Sequence, residues 1–432
     1  MTDGDLGAVF AALQATGDPV PAVLSVGGCV RDALMGWPVV DIDLATVHPP
    51  ETVKARLAEA GIATLDIGID HGTVVANFGA KQFQITTLRR DVETDGRHAT
   101  VAFTDDWMAD ASRRDFTVNA LYADLDGNVF DPLGGMTDVE ARRVRFIGDA
   151  GERIREDALR IMRFFRFHAQ FELPEFDQQG LDACRAHFDL LANLSGERIR
   201  GELFKILLAP ADGKVLNGPA FRDLFEALFP VDAAHFHLAF VAAREDALGM
   251  PDPLRRLSVL VPDPGSAAAA ATRLRLSNDD TGRLAALAAI PPGMTPELYP
   301  HTRKLRLYAL GPDRWRDAVI LSWARAEALV AMKNWANEGS LAWKPSDAEV
   351  VPDAAWLELL KFPETWPVPE FPLKGADVVA AGVPEGPEVG RHLAAVENWW
   401  MIRDFRPDHA ACVTKLKRRL RWGWLRRPFG GV

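Results

Sequence analysis

The stretch VLSVGGCVRDALMGWPVVDID, residues 23–43, constrains the fold of the N-terminal part of the chain more than any other. Its apolar start predicts a buried strand, the pair Gly27-Gly28 predicts a tight turn, and the segment after the pair has the apolar spacing of a helix. Asp41 and Asp43 then interrupt an otherwise apolar run. In a strand, residues i and i+2 point to the same face, so the two carboxylates are predicted to lie side by side.

Two ionised carboxylates at this separation repel each other, and each is costly to bury without a partner. A divalent cation relieves the repulsion, and Mg²⁺ fits because it binds carboxylate oxygens together with substrate phosphates. The glycine turn lets backbone N–H groups approach a phosphate, and Arg31 in the following helix can donate charge-assisted hydrogen bonds to it. Taken alone, an Asp-x-Asp pair is more often an acidic pair that faces solvent at a strand end, and it is the preceding glycine turn that favours a metal site here.

The sequence pattern changes near residue 148. Before it, strand-like segments such as FQITTL and a predicted hairpin at Asp126-Gly127 alternate with helical segments, which indicates an α/β or α+β head. After it the patterns are helical, beginning with ERIREDALRIMRFFRFHAQF, residues 152–171, and ten of the twelve tryptophans follow residue 300. A chain of 432 residues exceeds what one hydrophobic core usually supports, so several domains are expected.

Composition excludes some classes of protein. The three cysteines are scattered, so neither a disulfide framework nor a zinc site is indicated. No apolar run approaches the roughly 20 residues of a membrane span, and the N-terminus lacks a basic leader, which favours a cytoplasmic protein. The net charge is -11, yet the stretch from Lys415 to Arg427 is basic and contains Trp422 and Trp424. It is typical of an RNA-facing surface, although a solvated basic tail is as good an interpretation.

Five segments together resemble the bacterial class II tRNA nucleotidyltransferase and poly(A) polymerase family, within the polymerase-β-like superfamily. GGCVRDALMGWPVVDID resembles the catalytic motif, and four further segments, in family order, are similar to the others: RRDFTVNALYAD, DPLGGMTDVEARRVRFIGD, REDALRIMRFFRF and LSGERIRGEL. The resemblance covers about residues 20–205. It implies a nucleotidyltransferase head with a small mixed or antiparallel sheet, then an elongated all-α region. The expected divisions are the head at 1–147, a base-recognising neck at 148–210, a helical body at 211–345 and a helical, tRNA-binding tail at 346–432.

The resemblance also implies a site. Asp41 and Asp43 would be the catalytic residues and would hold two Mg²⁺ ions. The nucleotide-binding residues implied in the first two motifs are Gly27, Gly28, Arg31, Arg114, Asp115 and Asn119. Of these, Gly28 and Arg31 would contact the triphosphate, while Asp115 and Asn119 would bind ribose hydroxyls. One departure concerns Gln84, at a position where relatives often carry an acid, which puts a third carboxylate in doubt.

The fourth motif would read the base. On a continuous helix, Asp157, Arg160, Arg163 and Arg166 stand at i+3 steps along one ridge. Asp157 can accept a hydrogen bond from an exocyclic amine while Arg160 donates to the ring. Cytosine and adenine both carry an amine on the Watson–Crick edge, so one protein template could accept CTP and ATP but not UTP or GTP. Arg163 and Arg166 would assist with nucleotide and phosphate contacts. The competing interpretation is an exposed ion pair between Glu156 and Arg160, worth about 0.3–0.5 kcal/mol.

The favoured function is addition of CCA to the 3′ acceptor end of tRNA from CTP and ATP, with no membrane and no obligate protein partner. A poly(A) polymerase, or an enzyme adding only CC or only A, remains the alternative. Poly(A) polymerases carry an arginine-rich signature after the catalytic aspartates, and LATVHPPETV, residues 44–53, contains no arginine. A catalytically silent RNA-binding protein is disfavoured by the intact Asp-x-Asp pair, and an added phosphohydrolase domain by the lack of a suitable His-Asp pair.

Overall fold

The structure, a computed structural model, describes residues 4–15, 17–18, 21–65, 72–94, 99–171, 175–210, 216, 218–229, 235–290, 293–338 and 353–424. It divides into two compact units, Met1–Ala288 and Ala289–Val432. The finer division into head, neck, body and tail stays a prediction. Within the described ranges, no helix combines the length and the apolar character that crossing a membrane requires.

The first unit begins with a seven-stranded sheet whose strand order is β3-β4-β5-β2-β1-β8-β9. Its strands are β1 Val23–Val26, β2 Asp43–Thr46, β3 Ala63–Leu65, β4 Thr73–Asn77, β5 Gln82–Thr87, β8 Tyr122–Ala123 and β9 Val129–Phe130. A separate two-stranded sheet pairs β6 Arg89–Thr94 with β7 Ala99–Phe103. Strands β2 and β5 are parallel and the other pairs are antiparallel, so the predicted mixed sheet is confirmed.

Helices cover both faces of this sheet. They are α1 Gly4–Leu13, α2 Gly28–Leu34, α3 Pro50–Glu59, α4 Trp107–Ser112 and α5 Gly135–Glu140. On one face, Val23 packs in a core with Leu13 and Leu57 of α1 and α3. On the other face, Leu24 packs with Ala111 of α4. Because neighbouring strand residues point to opposite faces, burial of both faces explains why β1 is apolar at adjacent positions.

The rest of the first unit is helical. Its α-helices are α6 Ala150–Glu156, α7 Leu159–Gln170, α8 Gln178–Ala186, α9 Gly196–Leu207, α10 Pro219–Leu228, α11 His235–Leu248, α12 Pro253–Leu260, α13 Pro264–Arg273 and α14 Asn278–Ala288. Helix α7 shares a core with the head: the Phe164 ring stacks on Phe146, with centroids 5.3 Å apart, and lies 6.2 Å from Phe116. These aromatic contacts fix α7 against the segment that follows α4.

The continuous helix predicted over residues 152–171 is wrong at one position. The backbone of Asp157 is extended, with φ -150° and ψ 103°, so α6 ends before it and α7 begins after it. The carboxylate of Asp157 accepts the backbone N–H of Leu159 at 3.1 Å. Aspartate competes in this way for backbone donors and favours helix ends over helix interiors. Asp157 therefore lies just before the N-terminal end of α7, and the ridge of i+3 steps begins only at Arg160.

The second unit is helical, as predicted. Its helices are α15 Pro300–Glu338, α16 Asp353–Thr365, α17 Gly375–Ala380, α18 Pro387–Ile402 and α19 His409–Trp424. Helix α15 is interrupted at Gly311, whose φ is 75°. Tryptophans supply much of the packing: Trp323 and Trp356 stack with ring centroids 5.7 Å apart, and both are fully buried. The end of the basic stretch, beyond Trp424, lies outside the described residues.

Candidate active site

The turn between β1 and α2 requires glycine at Gly27. Its φ of 76° and ψ of -123° lie where other residues are strained. Its N–H donates to the carbonyl of Leu121 at 2.9 Å. A Cβ on Gly27 would lie 3.6 Å from Nη1 of Arg114 and from the carbonyl oxygen of Asn119. Because α2 is only seven residues long, the adjacent Arg114 guanidinium is the stronger source of positive charge at this turn.

Asp43 is the first residue of β2, and Asp41 lies just before the strand instead of within it, so the predicted placement of both in one strand is wrong. Loss of solvent raises the pKa of Asp43, the negative charge of Asp41 raises it further, and Arg114 opposes both effects. The two carboxylates therefore interact. The register neighbour of Asp43 on β5 is Gln84, an amide. Among the described residues, no group of three or more His, Cys, Asp and Glu is placed to hold a metal ion.

Asp110 of α4 anchors Arg114, and it was not identified from the sequence. Its Oδ2 accepts from Nη2 of Arg114 at 2.8 Å and from the hydroxyl of Tyr122 at 2.9 Å, while Oδ1 accepts from Nε of Arg113 at 2.9 Å. Burial alone would raise the pKa of Asp110, but the guanidinium groups of Arg114 and Arg113 hold it at about 2. A signal was present, because Asp110 precedes the two arginines by the i,i+3 and i,i+4 spacing of helical ion pairs.

A chain of hydrogen bonds joins three of the predicted motifs. Nη1 of Arg31 donates to Asn119 at 2.5 Å, Nδ2 of Asn119 donates to Asp115 at 3.0 Å, and Nε of Arg163 donates to Asp115 at 2.6 Å. Burial would raise the pKa of Asp115, but Arg163 and Asn119 hold it below its usual range. Asp115 and Asn119 are buried and position the two arginines. Their contacts with ribose hydroxyls stay a prediction.

The ring of Phe167 lies among three guanidinium groups. Its centroid is 3.8 Å from Cζ of Arg166, 4.9 Å from that of Arg31 and 5.4 Å from that of Arg163. Arg166 also donates to Glu202 of α9 at 2.5 Å. Burial lowers the pKa of Arg166, Glu202 opposes this, and the neighbouring positive charges of Arg163 and Arg31 lower it further. Three cations held this close favour an anionic ligand beside them.

Asp157 and Arg160, the predicted base-reading pair, have protein partners. Oδ2 of Asp157 accepts from Nη2 of Arg198 at 2.8 Å. Nη1 of Arg160 donates to Glu156 at 2.6 Å, and its Nη2 donates to the carbonyl of Arg113 at 3.2 Å. The ion pair between Glu156 and Arg160 that competed as an interpretation is therefore present. The bond to Arg113 joins the first turn of α7 to the segment that carries Arg114.

Asp138 and Gly135, also not identified from the sequence, hold the 3₁₀ turn that begins at Thr117. Asp138 is fully buried and accepts from the hydroxyl of Thr117 at 2.6 Å, from Arg143 at 2.6 Å and from Arg145 at 2.9 Å. A Cβ on Gly135 would lie 2.2 Å from the carbonyl oxygen of Thr117, so only glycine permits the approach. The next residues of this turn include Asn119, so Asp138 and Gly135 both act on the site indirectly.

These contacts place the predicted site residues together in one region. A Cβ on Gly28 would lie 3.6 Å from Nη2 of Arg31, which adds the second glycine of the turn to the network. The charge of Arg114 acts on Asp43, and the backbone N–H of Arg160 donates to the carbonyl of Asp157 at 3.0 Å. The arrangement combines paired carboxylates, a glycine turn and clustered guanidinium groups. These are the groups that can bind a phosphorylated substrate and stabilise the charge that develops when its phosphoryl group is transferred.

Comparison with known proteins agrees with this chemistry. Residues 23–145 match the family model "Poly A polymerase head domain", and residues 175–234 match "Probable RNA and SrmB- binding site of polymerase A". The chain is 32% identical to CCA tRNA nucleotidyltransferase 1, mitochondrial, of Danio rerio, over 87% of this chain and 82% of that protein. It is 31% identical to the Homo sapiens protein of the same name, over 91% and 86%.

Shorter and structural matches agree as well. The CCA-adding enzyme of Streptococcus pyogenes serotype M2 is 44% identical over 43% of this chain and 45% of that protein. The crystal structure of the Bacillus stearothermophilus CCA-adding enzyme in complex with CTP superposes with a TM-score of 0.70, at 24% identity, over 99% and 100% of the two chains. That likeness confirms the predicted fold. The chain therefore belongs to the class II CCA tRNA nucleotidyltransferase and poly(A) polymerase family.

Proposed function

We propose that this enzyme adds C, C and A to the 3′ acceptor end of tRNA, from CTP and ATP, without a nucleic-acid template and with release of pyrophosphate. The observation that carries the proposal is the interacting pair Asp41 and Asp43 beside the Arg114 guanidinium. Relatives named for CCA addition, which align over 82% and 86% of their own length, support the choice of reaction. The cytoplasmic location stays a prediction, since both vertebrate relatives are named as mitochondrial.

Members of the polymerase-β-like superfamily use metal ions, and we assign two Mg²⁺ ions to Asp41 and Asp43. The residues fit, because loss of solvent and the negative charge of Asp41 both raise the pKa of Asp43, and a bound divalent cation would offset both effects. Mg²⁺ commonly takes one or two protein carboxylates together with substrate phosphates, so the amide at Gln84 does not prevent binding. When bound, the ions would polarise the attacking 3′-hydroxyl and neutralise charge on the pyrophosphate leaving group.

Arg114 stabilises the negative charge that develops on the leaving pyrophosphate. Its partners hold it in place before the substrate arrives: Asp110 accepts from it at 2.8 Å, and Tyr122 lies beside its guanidinium. A cation fixed in this way needs no reorganisation when the charge develops, which is how preorganised groups lower a barrier. The guanidinium groups of Arg31 and Arg163 add positive potential on the side of α7.

Asp157 and Arg160 select the base. The carboxylate of Asp157 accepts a hydrogen bond from the exocyclic amine of cytosine or adenine, and Arg160 donates to the ring. Uracil and guanine present a carbonyl oxygen where the amine would be, so two acceptors would face each other without a proton between them. Arg198 binds Asp157 and Glu156 binds Arg160, so both side chains are held at the N-terminal end of α7 before a base arrives. These two side chains take the place of a nucleic-acid template.

The experiment that tests the proposal uses purified protein, tRNA lacking CCA, and labelled CTP and ATP. The product is expected to grow by three nucleotides and then stop. Long tails of A would identify a poly(A) polymerase instead, and a stop after CC, or growth only on tRNA that already ends in CC, would identify a partial activity. Absence of any transfer would refute the proposal.

A further inference from the structure

A cleft of about 640 Å³ lies on the C-terminal side of α7 within the first unit. Its lining includes the cations Arg142, Arg166 and Lys205 and the apolar side chains Trp37 and Leu208. We call this feature the basic cleft. Its volume falls within the roughly 300–1,000 Å³ of typical small-ligand sites. Trp37, Arg142 and Lys205 have no part in the reaction described above, so the basic cleft needs an explanation of its own.

The charge of the basic cleft is positive. Arg166 and Lys205 approach one carboxylate, that of Glu202, at 2.5 and 3.9 Å. With Arg142, these four side chains comprise three positive charges and one negative charge. The Lys205 side chain is 63% exposed and can reach a ligand from solvent. An anion that binds here would therefore meet more cationic groups than the protein itself neutralises.

The backbone of Arg142 gives an independent indication of function. Its φ is 48°, in the left-handed region, directly after α5 and its C-cap Ala141. Helices commonly end in this conformation with glycine, because any other side chain is strained there. An arginine at such a position carries a cost that glycine would avoid. Residues kept in strained conformations concentrate at binding sites, and the side chain of Arg142 lines the basic cleft.

The apolar wall supplies an aromatic platform. Trp37 packs against Phe171, with ring centroids 5.6 Å apart and planes tilted by 58°, so its indole is held in place. It is half-buried and lines the basic cleft together with Leu208, which is 41% exposed. A fixed aromatic ring among cations is how proteins bind single-stranded nucleic acid, because the ring stacks on a base while the cations bind phosphates.

We propose that the basic cleft binds one nucleotide of the RNA substrate, with the base against Trp37 and the phosphate held by Arg142 and Lys205. The inference rests on the proposed function, because the RNA of that reaction is its ligand. Arg166 lines the basic cleft and also contacts the ring of Phe167 among the site arginines, so RNA bound there would lie next to the predicted site. A free nucleoside triphosphate shares this chemistry, and the experiment separates the two.

The test is the variant Arg142→Gly, which removes the cation and also removes the strain of a non-glycine residue at positive φ. Its Tm is expected to be equal to or above that of wild type. Its Kd for tRNA lacking CCA is expected to rise about three- to tenfold, and the slope of log Kd against log salt to fall by about one. The KM for CTP should stay unchanged. Arg275→Gly is the matched control, because Arg275 also has a φ of 48° but does not line the basic cleft, and it should bind tRNA as wild type does.

Lys205→Gln provides a second variant should Arg142→Gly fail to fold, and a weaker Kd for tRNA is expected for it too. Wild-type tRNA affinity and salt slope in a folded cleft variant would overturn the inference. A raised KM for CTP with unchanged tRNA affinity would also overturn it and would assign the basic cleft to free nucleotides. The binding measurement does not depend on catalysis, so wild-type protein that binds tRNA through the basic cleft but transfers no CMP would refute only the proposed function.

Discussion

Replacing Asp110 by asparagine separates charge from shape at the anchor of Arg114. The Asp110 side chain is 2% exposed and accepts from Arg114 at 2.8 Å and from the Tyr122 hydroxyl at 2.9 Å. Asparagine has nearly the same size, but it is neutral and presents an N–H₂ group where one acceptor oxygen stood. At least one buried donor around it then loses its partner.

The pKa of Asp110 gives the magnitude. The value of about 2 lies roughly 2 below the usual 3.8. At about 1.36 kcal/mol for each pKa unit, the fold favours the ionised carboxylate by roughly 2 kcal/mol at neutral pH. Leaving the Arg114 charge without its partner adds to this cost. We therefore expect Asp110→Asn to lower the free energy of unfolding at pH 7 by about 2–4 kcal/mol.

The pH dependence has a definite sign. Because the pKa of Asp110 is lower in the folded than in the unfolded protein, its stabilisation is complete above about pH 4 and is lost as the pH falls toward 2. The difference in unfolding free energy between wild type and Asp110→Asn should therefore be constant from pH 7 to pH 5 and smaller at pH 3. The rate of CMP addition should fall about 10- to 100-fold, because Arg114 loses its orientation.

The assay is urea unfolding at pH 7, 5 and 3, together with single-turnover CMP addition at pH 7. Asp105→Asn is the control, since this exposed aspartate lies in the same segment and its replacement should change stability by less than about 0.5 kcal/mol. If Asp110→Asn is as stable as wild type at pH 7, or equally destabilised at pH 3 and pH 7, the ionised Asp110 does not anchor Arg114.

Two further predictions concern base selection, measured as kcat/KM for the four nucleoside triphosphates. Asp157→Ala should reduce the preference for CTP and ATP over UTP and GTP by about tenfold or more, because the acceptor for the exocyclic amine is gone. Arg160→Ala should lower the use of CTP and ATP while inhibition by pyrophosphate is retained, because the arginine binds the base and not the phosphates. Arg155→Ala, a change at a neighbouring exposed arginine, should alter neither. Unchanged selectivity in both site variants would remove the template role.

Features that are determined by residues close together in the chain were predicted correctly from the sequence. The turn at Gly27 and the hairpin formed by β8 and β9 around Gly127 are both confirmed, because their signals lie within a few residues. Two predictions were wrong at the boundaries of elements. The strand pattern was extended back to Asp41, although β2 begins only at Asp43. The helix pattern was extended through Asp157, whose backbone is extended and whose carboxylate accepts the N–H of Leu159. Such boundaries depend on local competition for hydrogen bonds.

Long-range contacts could not be derived from spacing. Arg31 donates to Asn119 across 88 residues, and Thr117 donates to Asp138 across 21. The family resemblance grouped Arg31 with Asn119, but it did not indicate that they bind each other. Asp138 carries no sequence signal of comparable strength, because its partners become neighbours only when the sheet and α5 pack together. The basic cleft joins residues as distant as Trp37 and Lys205 and is visible only in the folded chain.

The most direct test that the carboxylate pair performs the transfer is the rate of a single CMP addition to tRNA lacking CCA. This rate is measured for Asp41→Ala and Asp43→Ala, with Asp105→Ala as the control. Both site variants should keep the wild-type circular dichroism spectrum and lose at least about a thousandfold in rate, while the control should transfer normally. A folded Asp41→Ala or Asp43→Ala protein that adds CMP at a near-normal rate would contradict the assignment of the active site.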